Sequence, residues 1–357
     1  MSEPLKIGLA GFSGFGSQDH QSTMYAPALL AAADAVSPAA VAILDEGERP
    51  RAEALAERLG VEVVDYATLL ADESVAAICL AAPPERRADA VIAAIRAGKH
   101  VLADKPLAPT ADEVARIVAA HEELPADQTP VVAVAHHQRF NAKLVPLAGA
   151  LAAGRIGLPW QIQGDFVVAG GDPIPGGELV NFGLYAVDNL LHLTGQPVIR
   201  VHAHAVGEGE DVATGGDADG AVPPRSLFAL HLDHGSEDDW GEPGTVRLTS
   251  TMVVGRTGPR VGLAPGAVST HRYRIAGSHG TITMDDADDG IRVHTATTEE
   301  HHSVDPGTVH RLVRGWLGAI SGRTAPAVGP RQALAVARVL DAAAQALESG
   351  QPVALDR

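Results

Sequence analysis

The chain carries one cysteine, Cys79, among 357 residues, so no disulfide can form within it. A reducing, cytoplasmic setting fits that usage. Cys79 lies in the apolar run Val75-Ala76-Ala77-Ile78-Cys79-Leu80. It reads as a small core residue rather than a nucleophile. Basic charge is scarce too: 27 Lys and Arg stand against 44 Asp and Glu, a net charge of −17. Nucleic acid and anionic membrane both demand a basic patch, so neither is expected as a partner. No stretch of about 18 apolar residues runs unbroken, which excludes a spanning helix. The longest candidate, 26–44, contains Asp34 and Pro38. Residues 1–6 lack the apolar segment of a secretory leader. The histidines, His301-His302 included, show no metal-ligand spacing, and no metal is expected.

What is present is the balance of a packed globular protein, with 46% hydrophobic and 20% charged residues. The length exceeds one typical core of roughly 100–200 residues. Two domains are expected, 1–136 and 137–357.

The first domain alternates short apolar runs with helical patterns. Strands are expected at 5–10, 39–44, 61–64, 75–82, 100–103 and 130–135. Helices are expected at 26–33, 49–59, 66–71, 85–97 and 111–123, with Gly60 and Gly98 as stops. Buried strands alternating with helices predict an α/β fold, a doubly wound parallel sheet of Rossmann type. The second domain opens with a helix at 141–154. Strand patterns rich in β-branched residues follow at 160–169, 198–206, 226–233, 245–254, 271–276, 281–284 and 291–297. They succeed one another largely without helices, which predicts an α+β domain with a large, mostly antiparallel sheet. Segments 207–224 and 234–244, rich in Gly, Asp and Glu, read as exposed loops. Two helices, at 309–321 and 332–349, close the chain.

The first strand ends in Gly8-Leu9-Ala10-Gly11-Phe12-Ser13-Gly14-Phe15-Gly16. Glycines there let backbone approach a pyrophosphate, and a following helix N-terminus supplies N–H donors. Gly11, Phe12, Ser13, Gly14, Phe15 and Gly16 are therefore the candidate phosphate loop, although Ser13 breaks the strict glycine fingerprint. The second strand ends near Asp45, where an acid can accept hydrogen bonds from the adenosine ribose. Asp45 and Glu46 would repel a 2′-phosphate, which favours NAD over NADP; Arg49 and Arg51 stand nearby with the opposite charge.

Two further runs are more specific: Ala77-Ile78-Cys79-Leu80-Ala81-Ala82-Pro83-Pro84, and Ala97-Gly98-Lys99-His100-Val101-Leu102-Ala103-Asp104-Lys105-Pro106. They resemble the glucose–fructose oxidoreductase / inositol dehydrogenase / MocA (Gfo/Idh/MocA) family, whose second run ends in E-K-P. Arg139-Phe140, Gly154-Arg155-Ile156-Gly157, Gly277-Ser278-His279-Gly280-Thr281-Ile282 and Gly350-Gln351-Pro352-Val353 continue the resemblance in the family's order. It implies a NAD(P)-dependent oxidoreductase acting on a hydroxyl-bearing carbon of a sugar, inositol or related polyol, and a homodimer or homotetramer. It also implies that Ala82, Pro83, Pro84, Asp104 and Lys105 line the cofactor. Lys105 would be catalytic. A lysine beside an oxidised nicotinamide has its pKa lowered by the like charge, which suits proton transfer.

The family's second motif, G-G-x-x-x-D-x-G-x-H-x-x-D, reads here Gly176-Gly177-Glu178-Leu179-Val180-Asn181-Phe182-Gly183-Leu184-Tyr185-Ala186-Val187-Asp188. Asn181 replaces aspartate and Tyr185 replaces histidine. On a helix, 181, 185 and 188 share one face, and His192 joins it a turn on. Tyr185 can take a hydroxyl proton if cations lower its pKa. Asn181 and Asp188 can position hydroxyls, and His136, His137 and Arg139, past the sixth strand, can line the pocket. Two alternatives stay open, the first because Asn181 holds no charge. One is a cofactor-binding sensor without turnover. The other is NAD-assisted elimination or hydrolysis without net redox change.

Overall fold

The computed structural model describes residues 3–12, 19–169, 177–206, 227–235, 246–257, 270–295, 299–303 and 308–355. The chain divides into two compact units, Met1–Phe140 with Gly307–Leu334, and Asn141–Pro306 with Ala335–Arg357. The sequence boundary at 136/137 differs from this division mainly in the fate of 307–334.

The first unit is built on a six-stranded parallel sheet of order β3-β2-β1-β4-β5-β6. Its strands are β1 (Leu5–Ala10), β2 (Val36–Ile43), β3 (Glu62–Asp65), β4 (Ala77–Leu80), β5 (His100–Ala103) and β6 (Val132–Val134). The connecting helices are α1 (Ala26–Leu30), α2 (Arg49–Leu59), α3 (Tyr66–Ala71), α4 (Pro84–Arg96) and α5 (Ala111–Glu122). Strand order reverses direction of growth between β1 and β4, the place where such sheets open a ligand crevice at their carboxyl ends. The four residues of β4 are all buried, which is why that strand reads as unbroken apolar sequence. Cys79 is among them, and burial pushes its thiol well above the ordinary range. It is an inert core side chain.

Helix α8 (Thr308–Ile320) belongs to this unit. Leu312, Val313, Trp316 and Leu317 join one core with Phe12, Tyr25 and Leu29. Burying an aliphatic side chain of this kind contributes about 1.5–3 kcal/mol, so α8 is held by its apolar stripe.

The second unit carries a nine-stranded sheet of order β14-β13-β12-β11-β7-β10-β9-β8-β15. Its strands are β7 (Pro159–Ala169), β8 (Val198–Val206), β9 (Leu227–Gly235), β10 (Val246–Thr257), β11 (Thr270–Gly277), β12 (Gly280–Asp285), β13 (Gly290–Thr295), β14 (Glu299–Ser303) and β15 (Val353–Ala354). Every pairing is antiparallel except β10 with β7. Alternation sorts the two faces. Ile162, Phe166, Val201, Leu230, Met252, Tyr273 and Ile275 share the core with α6 (Leu144–Ala152), α7 (Leu184–Thr194) and residues 335–349 of α9 (Pro330–Ser349). His234, expected in a loop, lies on β9 with its ring fully buried and its Nε2 at 2.8 Å from the Ser250 hydroxyl. Among the described residues no helix is long and apolar enough to cross a membrane.

Candidate functional site

In the first unit the site begins where β1 ends. Gly11 has φ +74°, and a Cβ there would meet the Ala81 carbonyl oxygen at 2.7 Å and Leu44 Cδ1 at 2.8 Å. Glycine is thus required where the ends of three strands converge. Phe12 is fully buried, and the Arg51 guanidinium lies 5.7 Å above its ring. Ser13, Gly14, Phe15 and Gly16 lie outside the described residues.

Asp45 stands two positions past β2. Its Oδ1 accepts from the Gly47 amide at 2.9 Å, and its Oδ2 accepts from Arg86 Nη1 at 2.9 Å. The second Arg86 nitrogen donates to the Leu44 carbonyl at 2.9 Å. Arg49 pairs with Glu46 instead. The cation set on Asp45 therefore comes from α4, just after Pro83-Pro84, and not from the neighbouring arginines in sequence. Ala82 is buried past β4, and its carbonyl accepts from Arg87 Nε at 3.0 Å.

Past β5, Asp104 is 1% exposed and its carboxylate is heavily engaged. It accepts from Tyr25 Oη at 2.6 Å and from the Lys105 amide at 2.9 Å, and it pairs with His20 Nδ1 at 2.9 Å. Arg87, itself 1% exposed, stands at 3.7 Å. Burial alone would raise the Asp104 pKa. The His20 hydrogen bond, the Arg87 charge and the Tyr25 hydroxyl outweigh it and hold the carboxyl at about 2. Arg87 also donates to the Pro106 carbonyl, so the backbone on both sides of Lys105 is fixed. Lys105 is 5% exposed. His136, buried past β6, and His137 share this edge. Loss of solvation, followed by the Lys105 charge, lowers the His137 pKa to about 3. His137 is therefore neutral at neutral pH, with one ring nitrogen free of a proton. Arg139 lies in the short 3₁₀ turn His137–Phe140 and is partly buried.

These residues fit a dinucleotide. A glycine without room for a Cβ ends β1, an acid follows β2, and both flank the switch point of a parallel sheet.

In the second unit the motif does not enter α7 as plain α-helix. A π-helical turn, Leu179–Gly183, precedes it and carries Asn181. Such wide turns displace the side chains that follow. Asn181 is 7% exposed, Tyr185 5% and Asp188 0%, within a stretch, 181–190, that is buried throughout. His192, expected to join them, is exposed.

A buried group surrounds them. Glu178 accepts from Arg256 Nε at 2.7 Å, and its other oxygen stands 3.5 Å from Asn181 Nδ2. The Arg256 guanidinium lies 5.3 Å above the Phe182 ring. Phe166 stacks on Phe182 and on Tyr185, each at 5.6 Å between centroids. Phe166 also meets His271, at 4.4 Å between ring centroids. Tyr273 accepts from Asn189 at 2.9 Å; burial, with Asp188 nearby, pushes its phenol far up, so it stays protonated.

The family model described as "Oxidoreductase family, NAD-binding Rossmann fold" matches residues 5–129. The D-xylose 1-dehydrogenase (NADP(+)) 2 of Haloferax volcanii is 28% identical over 335 residues, 89% of this chain and 92% of that one. The inositol 2-dehydrogenase 2 of Saccharopolyspora erythraea is 32% identical over 56% of this chain and 57% of its own. A Kribbella flavida oxidoreductase domain protein superposes with a TM-score of 0.79 at 20% identity, covering 100% of both chains. Over residues 5–129 the chain is therefore similar to the Gfo/Idh/MocA oxidoreductase family. An aldose-aldose oxidoreductase from Caulobacter crescentus shares the fold, with a TM-score of 0.76 at 19% identity over 99% of this chain and 100% of that one.

The stretch matched by the family model holds Gly11, Asp45, Pro83, Pro84, Asp104 and Lys105, whereas Asn181, Tyr185 and Asp188 lie beyond it. Several groups at these sites escaped the sequence reading. Arg256 carried a signal: it falls on the inward parity of β10, with Leu248, Ser250, Met252 and Val254, where a charge needs a buried partner. Arg86, Arg87, His20 and Tyr25 carried none, because their partners are set by the fold.

Proposed function

We propose that this chain is a dehydrogenase for a hydroxyl-bearing carbon of a sugar, inositol or related polyol, using NAD in preference to NADP. The observation that carries this reading is Lys105, buried and clamped by Asp104 and Arg87 past β5, beside a histidine kept neutral. A nicotinamide supplies the hydride acceptor or donor when bound. Lys105 and Tyr185 manage the proton of the reacting hydroxyl: one accepts it as hydride leaves, the other holds the oxygen by hydrogen bond. Asn181 and Asp188 position neighbouring hydroxyls. His136, neutral His137 and Arg139 add donors and acceptors to the pocket. Gly11 to Gly16 and 82–84 hold the pyrophosphate and ribose side, and Asp45 binds the ribose hydroxyls. Arg86 on Asp45 tempers the repulsion of a 2′-phosphate, so NADP remains usable. The names of the relatives, a D-xylose, an inositol and an aldose enzyme, support the substrate class. A cytoplasmic homodimer or homotetramer completes the reading.

A second reading, cofactor binding without turnover, rests on Asn181. It is uncharged, and the acid beside it, Glu178, is neutralised by Arg256. Turnover separates the two. Wild-type protein is given NAD⁺ or NADP⁺ with D-xylose, myo-inositol and a panel of aldoses, and reduced nicotinamide is followed. Tyr185→Phe is expected to lower kcat about a hundredfold, the low end of general acid–base contributions, with cofactor affinity unchanged. Tight cofactor binding with no turnover on any panel member selects the second reading.

A further inference from the structure

The outward face of the large sheet carries a cluster that the redox reading does not use. His202 and His204 alternate on β8 with the buried Val201 and Ala203, so both imidazoles point away from the core. The antiparallel register sets His231 of β9 directly opposite His202. The three ring centroids lie 5.9, 6.1 and 5.5 Å apart, for 202–204, 202–231 and 204–231. Two imidazoles on one tetrahedral ion, with metal–nitrogen bonds near 2.0–2.1 Å, have centroids about 5 Å apart. Small rotations of side chains that are partly or fully exposed close that gap. Among the described residues no three such groups are already gathered around one point, so the ion itself would draw the rings in.

We propose that His202, His204 and His231 form a binding site for Zn²⁺, the other borderline divalent ions Ni²⁺ and Cu²⁺ taking the same donors. Two donors at i and i+2 of a strand plus a third across the ladder give three nitrogens on one side of a rigid sheet, with the fourth position left to water. The Thr251 hydroxyl lies 3.2 Å from His231 Nδ1. It occupies that nitrogen and leaves Nε2 as the ligand, the outer partner that metal-binding histidines require. Arg200, on the same face of β8, is paired with Asp233 and does not stand as an unbalanced charge against a cation. The net charge of −17 favours cation approach. A spacing search along the chain misses the site, because its third donor lies 27 positions beyond His204 and is brought in by strand register alone.

Calorimetric titration of the full chain with Zn²⁺ tests the proposal, with Co²⁺ as a spectroscopic substitute. One ion per chain is expected at the cluster, with the visible band of four-coordinate Co²⁺. His231→Ala should weaken Zn²⁺ by more than about tenfold, since even outer-shell losses reach that size. His202→Ala with His204→Ala should abolish this binding event. His294→Ala, at a partly exposed histidine elsewhere on the sheet, should leave it unchanged. All four side chains are exposed or partly so, and circular dichroism verifies folding. Failure of Zn²⁺ to saturate any site, or His231→Ala weakening it less than about tenfold, overturns the proposal. Neither result bears on the redox chemistry.

Discussion

Lys105→Met lowers kcat/KM for the best polyol substrate by about two to four orders of magnitude, the usual span of a general acid–base group. The methylene stem keeps its packing, so the loss isolates the ammonium. Lys105→Arg should fail nearly as badly, because a guanidinium keeps the charge but does not release a proton in this pH range. Cofactor affinity, read by fluorescence titration, should change little in either variant. An internal check comes from His137, held at about 3 by loss of solvation and then by the Lys105 charge. Removing that charge should move its titration upward in an NMR pH series. A Lys105→Met enzyme within tenfold of wild type would remove Lys105 from the chemistry.

Asp104→Asn destabilises the protein by about 3–5 kcal/mol, the cost of stranding a buried charge. The stranded group is Arg87, 1% exposed, and since the amide keeps a single acceptor oxygen, either His20 or Tyr25 loses its partner as well. The pH dependence has a definite sign. The folded carboxyl titrates at about 2, below its unfolded value of about 4. A depressed pKa stabilises the fold above the unfolded value, and that contribution is lost as pH falls from about 4 to about 2. Its size is on the order of 2–3 kcal/mol. Urea midpoints of wild type and variant should therefore converge on acidification through that window. A gap that stays constant would show that Asp104 acts by shape and not by charge.

The parallel sheet was legible in the sequence because local rules agreed. Short buried runs alternated with helices, and Gly60 and Gly98 stopped α2 and α4 at φ near +70°. The mostly antiparallel second sheet was legible from strands following strands. The one parallel pairing, β10 with β7, was not, since both orientations suit the same alternation. Nor was the place of α8. Its stripe of Leu312, Val313, Trp316 and Leu317 shows an apolar face without naming the core that takes it. At the site, Asp104-Lys105-Pro106 stood out as a motif, yet its support did not. His20 and Tyr25 lie 84 and 79 positions from Asp104, and Arg86 lies 41 from Asp45. Arg49 and Arg51, close in sequence, found Glu46 and the Phe12 ring instead. Proximity along the chain is a weak guide to charge pairing once helices separate the strand ends. The π turn at Leu179–Gly183 is a further case, for the spacing of 181, 185 and 188 fits an α-helix equally well.

In the proposed reaction, hydride moves between a hydroxyl-bearing carbon and the nicotinamide with net redox change. Deuterium placed on the oxidised carbon of D-xylose or myo-inositol tests it most directly, with NAD⁺ and NADP⁺ supplied in turn and the reduced dinucleotide weighed by mass spectrometry. A reduced dinucleotide heavier by one deuterium is expected, formed in step with the oxidised sugar and faster with NAD⁺. Deuterium washed into solvent with no net reduction, or no reduced dinucleotide from any labelled polyol while cofactor binds, would contradict it.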